Sequence, residues 1–218
     1  MYGSDSNPRD YRIYEQGYES DDDDPGLPRV LLVGDSISKG YTYPTRVALA
    51  GWANVHQCHD NARSTRQGLK GLAQWLGGEP WDVIHFNFGL HDISRSFKVD
   101  GVNRDHDHCA VSPQEYESNL RELVSRLAQT GAKLIWATST CVPVHSSAKG
   151  RQNIDVIQYN GIAKRVMRKK SIVVNDLYEL SDQKLRTHQR NHPADAHFDD
   201  DGYYILGAQV GQCIHGQL

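Results

Sequence analysis

Short apolar runs alternate with longer polar segments from Arg29 onward. The run Val30-Leu31-Leu32-Val33 is apolar without alternation, which is typical of a strand covered on both faces. Similar runs follow at 83–86, 134–137 and 172–174, with a weaker one at 54–57. This pattern predicts a sheet of about five strands.

The segments between these runs carry apolar residues at helical spacing. One of them has a complete set of boundary signals, with Ser112 as N-cap, Pro113 in the first turn, Glu115 closing a capping box and Gly131 as the stop. Further helical faces lie within 69–76, 156–166 and 206–213. Strands that alternate with helices of this length require right-handed crossovers. The predicted fold class is therefore α/β, with a parallel sheet between two helix layers.

Residues 1–28 differ in composition from the rest of the chain. Three tyrosines, Tyr11, Tyr14 and Tyr18, lie in polar sequence and are followed by the acidic run 21–24. This composition predicts a solvated, partly disordered arm, although the tyrosines could hold part of it on the surface. Residues 29–218 are predicted to form one domain, because this length supports one core and not two.

Charge, hydropathy and cysteine content exclude several classes of protein. The net charge of −3 and the lack of a basic stripe argue against nucleic-acid binding. No apolar run approaches the roughly 20 residues of a membrane span. The four cysteines form no CxxC pair, which argues against a zinc ribbon or a redox dithiol. No signal peptide opens the chain, so a cytoplasmic location is expected, or a periplasmic or secreted one if a leader was removed; the oligomeric state stays open.

Polar, glycine-containing segments follow the predicted strands, where ligands bind in open parallel sheets. Gly34-Asp35-Ser36 follows the first strand, and Gly89-Leu90-His91-Asp92 follows the strand at 83–86. A serine in this position can stand at a helix N-terminus, where backbone amides favour a developing oxyanion. Serine is a poor nucleophile without a base, and the chain end offers His197.

Four segments together resemble the SGNH/GDSL hydrolase family, in order and in placement. We name them the first block (Gly34-Asp35-Ser36), the second block (61–65), the third block (89–92) and the last block (Asp195-Ala-His197, followed by Phe, three Asp, Gly and Tyr). The resemblance covers about residues 29–215. It implies a three-layer α/β/α sandwich, a serine nucleophile at Ser36 and a histidine base at His197. It implies no metal and no organic cofactor.

The last block departs from the family at the acid that orients the base. The usual position, three residues before the histidine, holds Ala194. We expect Asp195, two residues before it, to take this role. Asp199 and Asp200 are the alternatives, and capping of the last helix is the competing interpretation for both.

The second and third blocks depart from the family at the oxyanion donors. The second-block glycine is replaced by Ala62 or Arg63, depending on how the stretch from Asn61 is aligned, so either backbone amide is a candidate donor. The third block, which begins at Gly89, has His91 where the family has asparagine. An imidazole N–H can donate to an oxyanion, so we expect His91 to replace the asparagine. The alternative is a histidine that only holds the loop, with Asn87 as a less favoured donor.

The cluster at 105–109, Asp-His-Asp-His-Cys, has the composition of a metal site. Alternating side chains on an extended segment would not converge on one ion, so no metal is expected. The long connection from Ile93 to Ser112 is instead predicted to border the active site.

These features predict a serine esterase that hydrolyses small acyl esters. A polar rim with few exposed aliphatic side chains favours acetyl esters of a carbohydrate. The alternatives are a lysophospholipase or thioesterase, or an acyltransferase of the same fold. A different class is a binding protein that keeps the fold without catalysis.

Overall fold

A computed structural model describes residues 23–99, 102–143, 150–190 and 195–218. Most of the predicted N-terminal arm and Ala194 lie outside these residues.

Strands and helices alternate along almost the whole chain. In order they are β1 (Arg29–Val33), α1 (Ser36–Ala48), β2 (Asn54–Gln57), α2 (Thr65–Leu76), β3 (Val83–Phe86), β4 (Ser96–Val99), β5 (Val102–Asp105), α3 (Pro113–Ala128), β6 (Lys133–Ala137), α4 (Asn153–Lys169), β7 (Val173–Asn175), α5 (Leu177–Lys184), a 3₁₀ turn (Arg186–His188) and α6 (Asp200–His215). No helix in the described ranges is both long and apolar enough to cross a membrane.

The five main strands form a parallel sheet in the order β2-β1-β3-β6-β7. This confirms the predicted sheet and its fold class. The central strands are buried along nearly their whole length, as expected for strands that helices cover on both sides. The chain moves from β1 to β2 on one side and then returns to place β3 on the other. This reversal of direction opens a crevice at the carboxyl ends of β1 and β3.

The helices form two layers. α1 packs against α6, whereas α2, α3 and α4 pack side by side in sequence order. The α1–α6 contact is close because Gly40 has no side chain: a Cβ there would lie 2.2 Å from the ring of Tyr203. This close packing joins the helix that begins at Ser36 to the helix that follows His197.

Helix α3 shows how local sequence fixes an element. The Ser112 hydroxyl accepts a hydrogen bond from the Glu115 amide at 3.2 Å, and Pro113 occupies the first turn. The helix ends at Ala128, and Gly131 adopts a φ of 77°, a conformation that favours glycine. These boundaries confirm Ser112 as the N-cap and Pro113 in the first turn, whereas the predicted capping box is wrong in one half, because the Glu115 carboxylate pairs with Arg66 at 2.5 Å. The predicted apolar face is buried: Tyr116, Leu120, Leu123, Val124 and Leu127.

Two elements differ from the pattern-based expectation. The connection at 93–112 contains an antiparallel hairpin, β4–β5, whose strands are four residues each and too short to give a clear alternation. The sequence predicts only the start of α1, because the buried positions of this helix include Lys39, Gly40 and Thr42 and so lack an apolar period.

Candidate active site

Ser36 stands where β1 gives way to α1. Asp35 is the N-cap of α1, and its side chain accepts a hydrogen bond from the Ile37 amide at 3.0 Å. Asp35 therefore fixes the start of the helix at Ser36. The Ser36 amide lies in the first helical turn, where N–H groups have no partner within the helix. The hydroxyl and this amide are presented together at the positive end of the helix dipole.

His197 lies between Ser36 and Asp195. Its Nε2 is 2.8 Å from the Ser36 Oγ, and its Nδ1 makes a very short hydrogen bond with the Asp195 carboxylate. The same carboxylate oxygen accepts the His197 backbone amide at 3.0 Å, which fixes the carboxylate beside the ring. Burial alone would raise the pKa of Asp195, but the hydrogen bond and charge of His197 lower it to about 2. The three side chains form one continuous chain of hydrogen bonds.

A short antiparallel contact holds the backbone of His197 in place. The Arg190 amide donates to the His197 carbonyl at 2.9 Å, and the Arg190 Nε donates to the Phe198 carbonyl at 3.0 Å. Asp199 caps α6 by accepting the Gly202 amide at 2.8 Å and also contacts His188. These contacts turn the Asp199 carboxylate toward α6 and His188, and they favour Asp195 as the acid beside His197.

Both candidate donor amides of the second block have hydrogen-bond acceptors in the structure. The Ala62 amide donates to the Gly34 carbonyl at 3.0 Å. The Arg63 amide donates to the Asn61 side-chain oxygen at 3.0 Å, and Arg63 adopts a φ of 51° in the resulting turn. The Ala62 amide is thus bonded to the first block and the Arg63 amide to a side chain of the second block itself.

The third block is fixed to the second by a buried carboxylate. Asp92 accepts hydrogen bonds from the Thr65 amide at 3.0 Å and from the Thr65 hydroxyl at 2.6 Å. Burial raises the pKa of Asp92 to about 7 despite these donors. Gly89 packs directly on Ser139, where a Cβ would lie 2.2 Å from the Ser139 hydroxyl oxygen. These contacts hold the loop that carries His91.

His91 is half-buried in the turn after β3, and its carbonyl accepts the Ser94 amide at 3.4 Å. Asn87, the less favoured donor, directly follows β3. Its side-chain amide already donates to the Ala137 carbonyl at 2.7 Å. The loop geometry therefore disfavours Asn87 as an oxyanion donor.

Comparison with known proteins gives this geometry its context. Residues 32–205 match the GDSL-like Lipase/Acylhydrolase family. The chain belongs to this family. The acylhydrolase is thus a carboxylic ester hydrolase, as the sequence predicted, and it acts on small-molecule esters. No curated protein matches the chain.

Solved structures of low sequence identity share its fold. A lipase/acylhydrolase from Enterococcus faecalis has 22% identity and a TM-score of 0.71, with 88% of this chain and 97% of that chain covered. An acetylxylan esterase from Geobacillus stearothermophilus has 17% identity and a TM-score of 0.65, with coverage of 86% and 94%. These likenesses confirm the predicted α/β/α sandwich.

Arg151 is a site residue that sequence reasoning missed. It lies just before α4, and its Nε donates to the Leu90 carbonyl at 2.5 Å, next to His91. Burial lowers its pKa, and the charges of Asp35 and Asp195 oppose that change. A lone arginine in a polar connection gives no sequence signal of such a position; only the fold brings it to the third block.

The two ends of the β4–β5 hairpin are held by contacts of Arg95, the residue just before β4. Arg95 contacts the Asp155 carboxylate of α4 at 2.8 Å, and the Arg95 carbonyl accepts the His106 amide at 2.7 Å. Beyond the hairpin, His108 Nδ1 contacts the adjacent Asp107 at 2.9 Å. Within the part of the chain that the structure describes, no group of three His, Cys, Asp or Glu residues could hold a metal ion.

Removing the Asp92 carboxylate is expected to destabilise the acylhydrolase. Asp92→Ala would leave the buried Thr65 amide and hydroxyl without their acceptor, which typically costs about 1–3 kcal/mol. Chemical denaturation would measure the change, with the exposed Asp105→Ala as the control. Equal stability of the two variants would show that the hydrogen bonds from Thr65 to Asp92 do not stabilise the fold.

Proposed function

We propose that this acylhydrolase is a serine esterase that removes small acyl groups, acetyl above all, from a carbohydrate. The observation that carries the proposal is the chain of hydrogen bonds from Ser36 through His197 to Asp195. Serine becomes a useful nucleophile when a base accepts its proton and a third group orients that base.

The reaction follows from this geometry in two halves. Ser36 Oγ attacks the ester carbonyl while His197 Nε2 takes the hydroxyl proton. His197 then gives that proton to the departing sugar oxygen, which leaves an acyl group on Ser36. A water molecule attacks the acyl carbon and passes its proton to His197. The Ser36 oxygen leaves with that proton, and the free acid is released.

Two donors are proposed for the oxyanion. The Ser36 amide lies at the N-terminus of α1, beside the atom that attacks. His91 would supply the second N–H from the third block, because the second-block amides are engaged. Arg151 would hold this loop through the Leu90 carbonyl and so act as a positioning residue.

The acyl group that we propose is acetyl, and the support for it comes from proteins of the same fold. Similar folds include acetylxylan esterases, which supports acetyl as the acyl group.

The test is release of acetate from a panel of acetylated mono-, oligo- and polysaccharides, beside a chain-length series of nitrophenyl esters. The proposal expects acetate release and a rate that falls steeply beyond short acyl chains. A preference for long chains would instead indicate a lysophospholipase or thioesterase. Transfer to added sugar that outpaces hydrolysis would indicate an acyltransferase. Failure of a fluorophosphonate to label Ser36 would indicate a binding protein.

Substitutions at His91 test the oxyanion assignment. Loss of one donor typically lowers kcat by about 10²–10³, so His91→Ala should show a loss of this size. His91→Asn restores a donor and should keep much of the activity. His215→Ala, at the end of α6, is the control. Normal turnover by His91→Ala would show that the histidine only packs the loop.

A further inference from the structure

The start of α4 lies against the turn that carries His91. Arg151, just before the helix, donates from Nε to the Leu90 carbonyl at 2.5 Å. Asp155, in the first turn of the helix, accepts from the Arg95 guanidinium, with one carboxylate oxygen 2.8 Å from Nη2 and 3.3 Å from Nε. Leu90 and Arg95 flank His91 along the chain. One end of the helix thus contacts the third-block turn at two places.

The ion pair between Asp155 and Arg95 is mostly buried. The exposed fraction is 10% for the Asp155 side chain and 19% for the Arg95 side chain. Salt screens a pair of this kind less than a surface pair. The carboxylate also lies in the first helical turn, where the helix dipole favours a negative charge. The hydrogen bond with Asp155 raises the pKa of the Arg95 guanidinium, so this contact favours the charged pair.

Arg95 connects the start of α4 to the β4–β5 hairpin. Gly150 lets the chain before α4 come close to it: the φ of Gly150 is 64°, which favours glycine, and a Cβ there would lie 3.1 Å from the Arg95 Cβ. Arg95 Nη1 donates to the Asp107 carbonyl, and the Arg95 carbonyl accepts the His106 amide at 2.7 Å. The residue that ends the third-block turn therefore has contacts on two sides.

His91 lies between the two places where α4 contacts this turn. The next residue, Asp92, is held by the Thr65 hydroxyl at 2.6 Å, and the Ser94 amide donates to the His91 carbonyl at 3.4 Å. The backbone is thus held before His91, directly after it and at the end of the turn. Such support matters for catalysis, because a misplacement of about 1 Å can cost about 10²-fold in rate.

We propose that Asp155 is a positioning residue for the oxyanion donor and acts through Arg95 on the turn that carries His91. This inference rests on the proposed function, in which His91 donates to the oxyanion. The Asp155 carboxylate holds the guanidinium, the guanidinium holds the end of the turn, and the turn directs the imidazole. Because an oxyanion donor acts mainly in the transition state, loss of Asp155 should lower kcat and leave KM nearly unchanged.

Steady-state kinetics with nitrophenyl acetate on Asp155→Asn, His91→Ala and the double variant test this inference. Asp155→Asn keeps the size and one acceptor oxygen but removes the charge, so kcat should fall at least about tenfold while KM stays within about twofold. In the His91→Ala background the same substitution should change kcat less than about twofold, because the donor that it positions is gone. Glu122→Gln, which breaks the exposed pair with Arg126 on α3, makes the same change in charge and is the control.

A second variant separates positioning from the effect of an unpaired buried charge. Arg95→Met with Asp155→Leu removes both partners, so no buried charge is left without its counterion. Its thermal unfolding midpoint should stay near that of wild type, whereas its kcat should fall as in Asp155→Asn. A folded variant of this kind with the kcat of wild type would overturn the proposal.

The outcomes distinguish this inference from the proposed function. A loss of kcat in Asp155→Asn that disappears in the His91→Ala background supports the inference. An equal loss in both backgrounds, or no loss in either, overturns it, and a low kcat of His91→Ala alone would still support the oxyanion assignment. Normal turnover by His91→Ala would contradict that assignment and overturn the inference with it.

Discussion

Ser36→Ala and His197→Ala should each abolish nearly all turnover of nitrophenyl acetate while leaving the thermal unfolding midpoint close to that of wild type. Nucleophile and base act as one unit, and losses in such units reach about 10⁴–10⁶ in kcat. The hydrogen bond of 2.8 Å between His197 Nε2 and Ser36 Oγ is the geometric reason to expect this. The double variant should lose little more than either single variant, because the second substitution removes a partner that has already lost its role.

The chain offers a matched control two residues away. Ser38 lies in the same first turns of α1, but its hydroxyl donates to the Gln57 side chain at 3.2 Å and is buried. Ser38→Ala should therefore keep most of the activity. Turnover by Ser36→Ala above about a tenth of the wild-type rate would remove Ser36 from the mechanism, since residual catalysis without a nucleophile is far smaller.

The sheet was predictable because its strands are buried on both faces. Continuous apolar runs such as Val30 to Val33 leave few alternatives to a central strand. Helix α1 was less predictable, because it buries Lys39 and two threonines, Thr42 and Thr45, in place of an aliphatic stripe. Close packing of α1 on α6 decides the path of this helix, and local sequence does not report packing of that kind.

The site was predictable only in part, for a related reason. Ser36 and His197 lie 161 positions apart, so no local period joins them, and the family resemblance supplied the pairing. The second-block amides donate to acceptors that the sequence did not predict. Their directions depend on the left-handed conformation of Arg63 and on the side chain of Asn61, which together form a turn. Arg151 reaches the third block through the fold alone.

Substitution of Asp195, the acid two residues before His197, gives the other large expected effect. Asp195→Asn should lower kcat by about 10⁴, because an amide at this place can favour the wrong tautomer of His197. The structure gives a specific reason: one Asp195 oxygen contacts both the ring Nδ1 and the backbone amide of His197. The pKa of about 2 means that the carboxylate stays charged above about pH 4 and loses its pairing only as the pH falls toward 2.

Asp199→Asn is the matched control for this substitution. Asp199 caps α6 and contacts His188, and asparagine is an equally good N-cap, so stability and turnover should both stay near wild type. Steady-state kinetics of both variants above pH 6 would measure the difference. If Asp195→Asn turned over within about threefold of wild type while Asp199→Asn lost activity, the orienting acid would be Asp199. The contact between Asp195 and His197 would then serve only to shape the loop that carries the base.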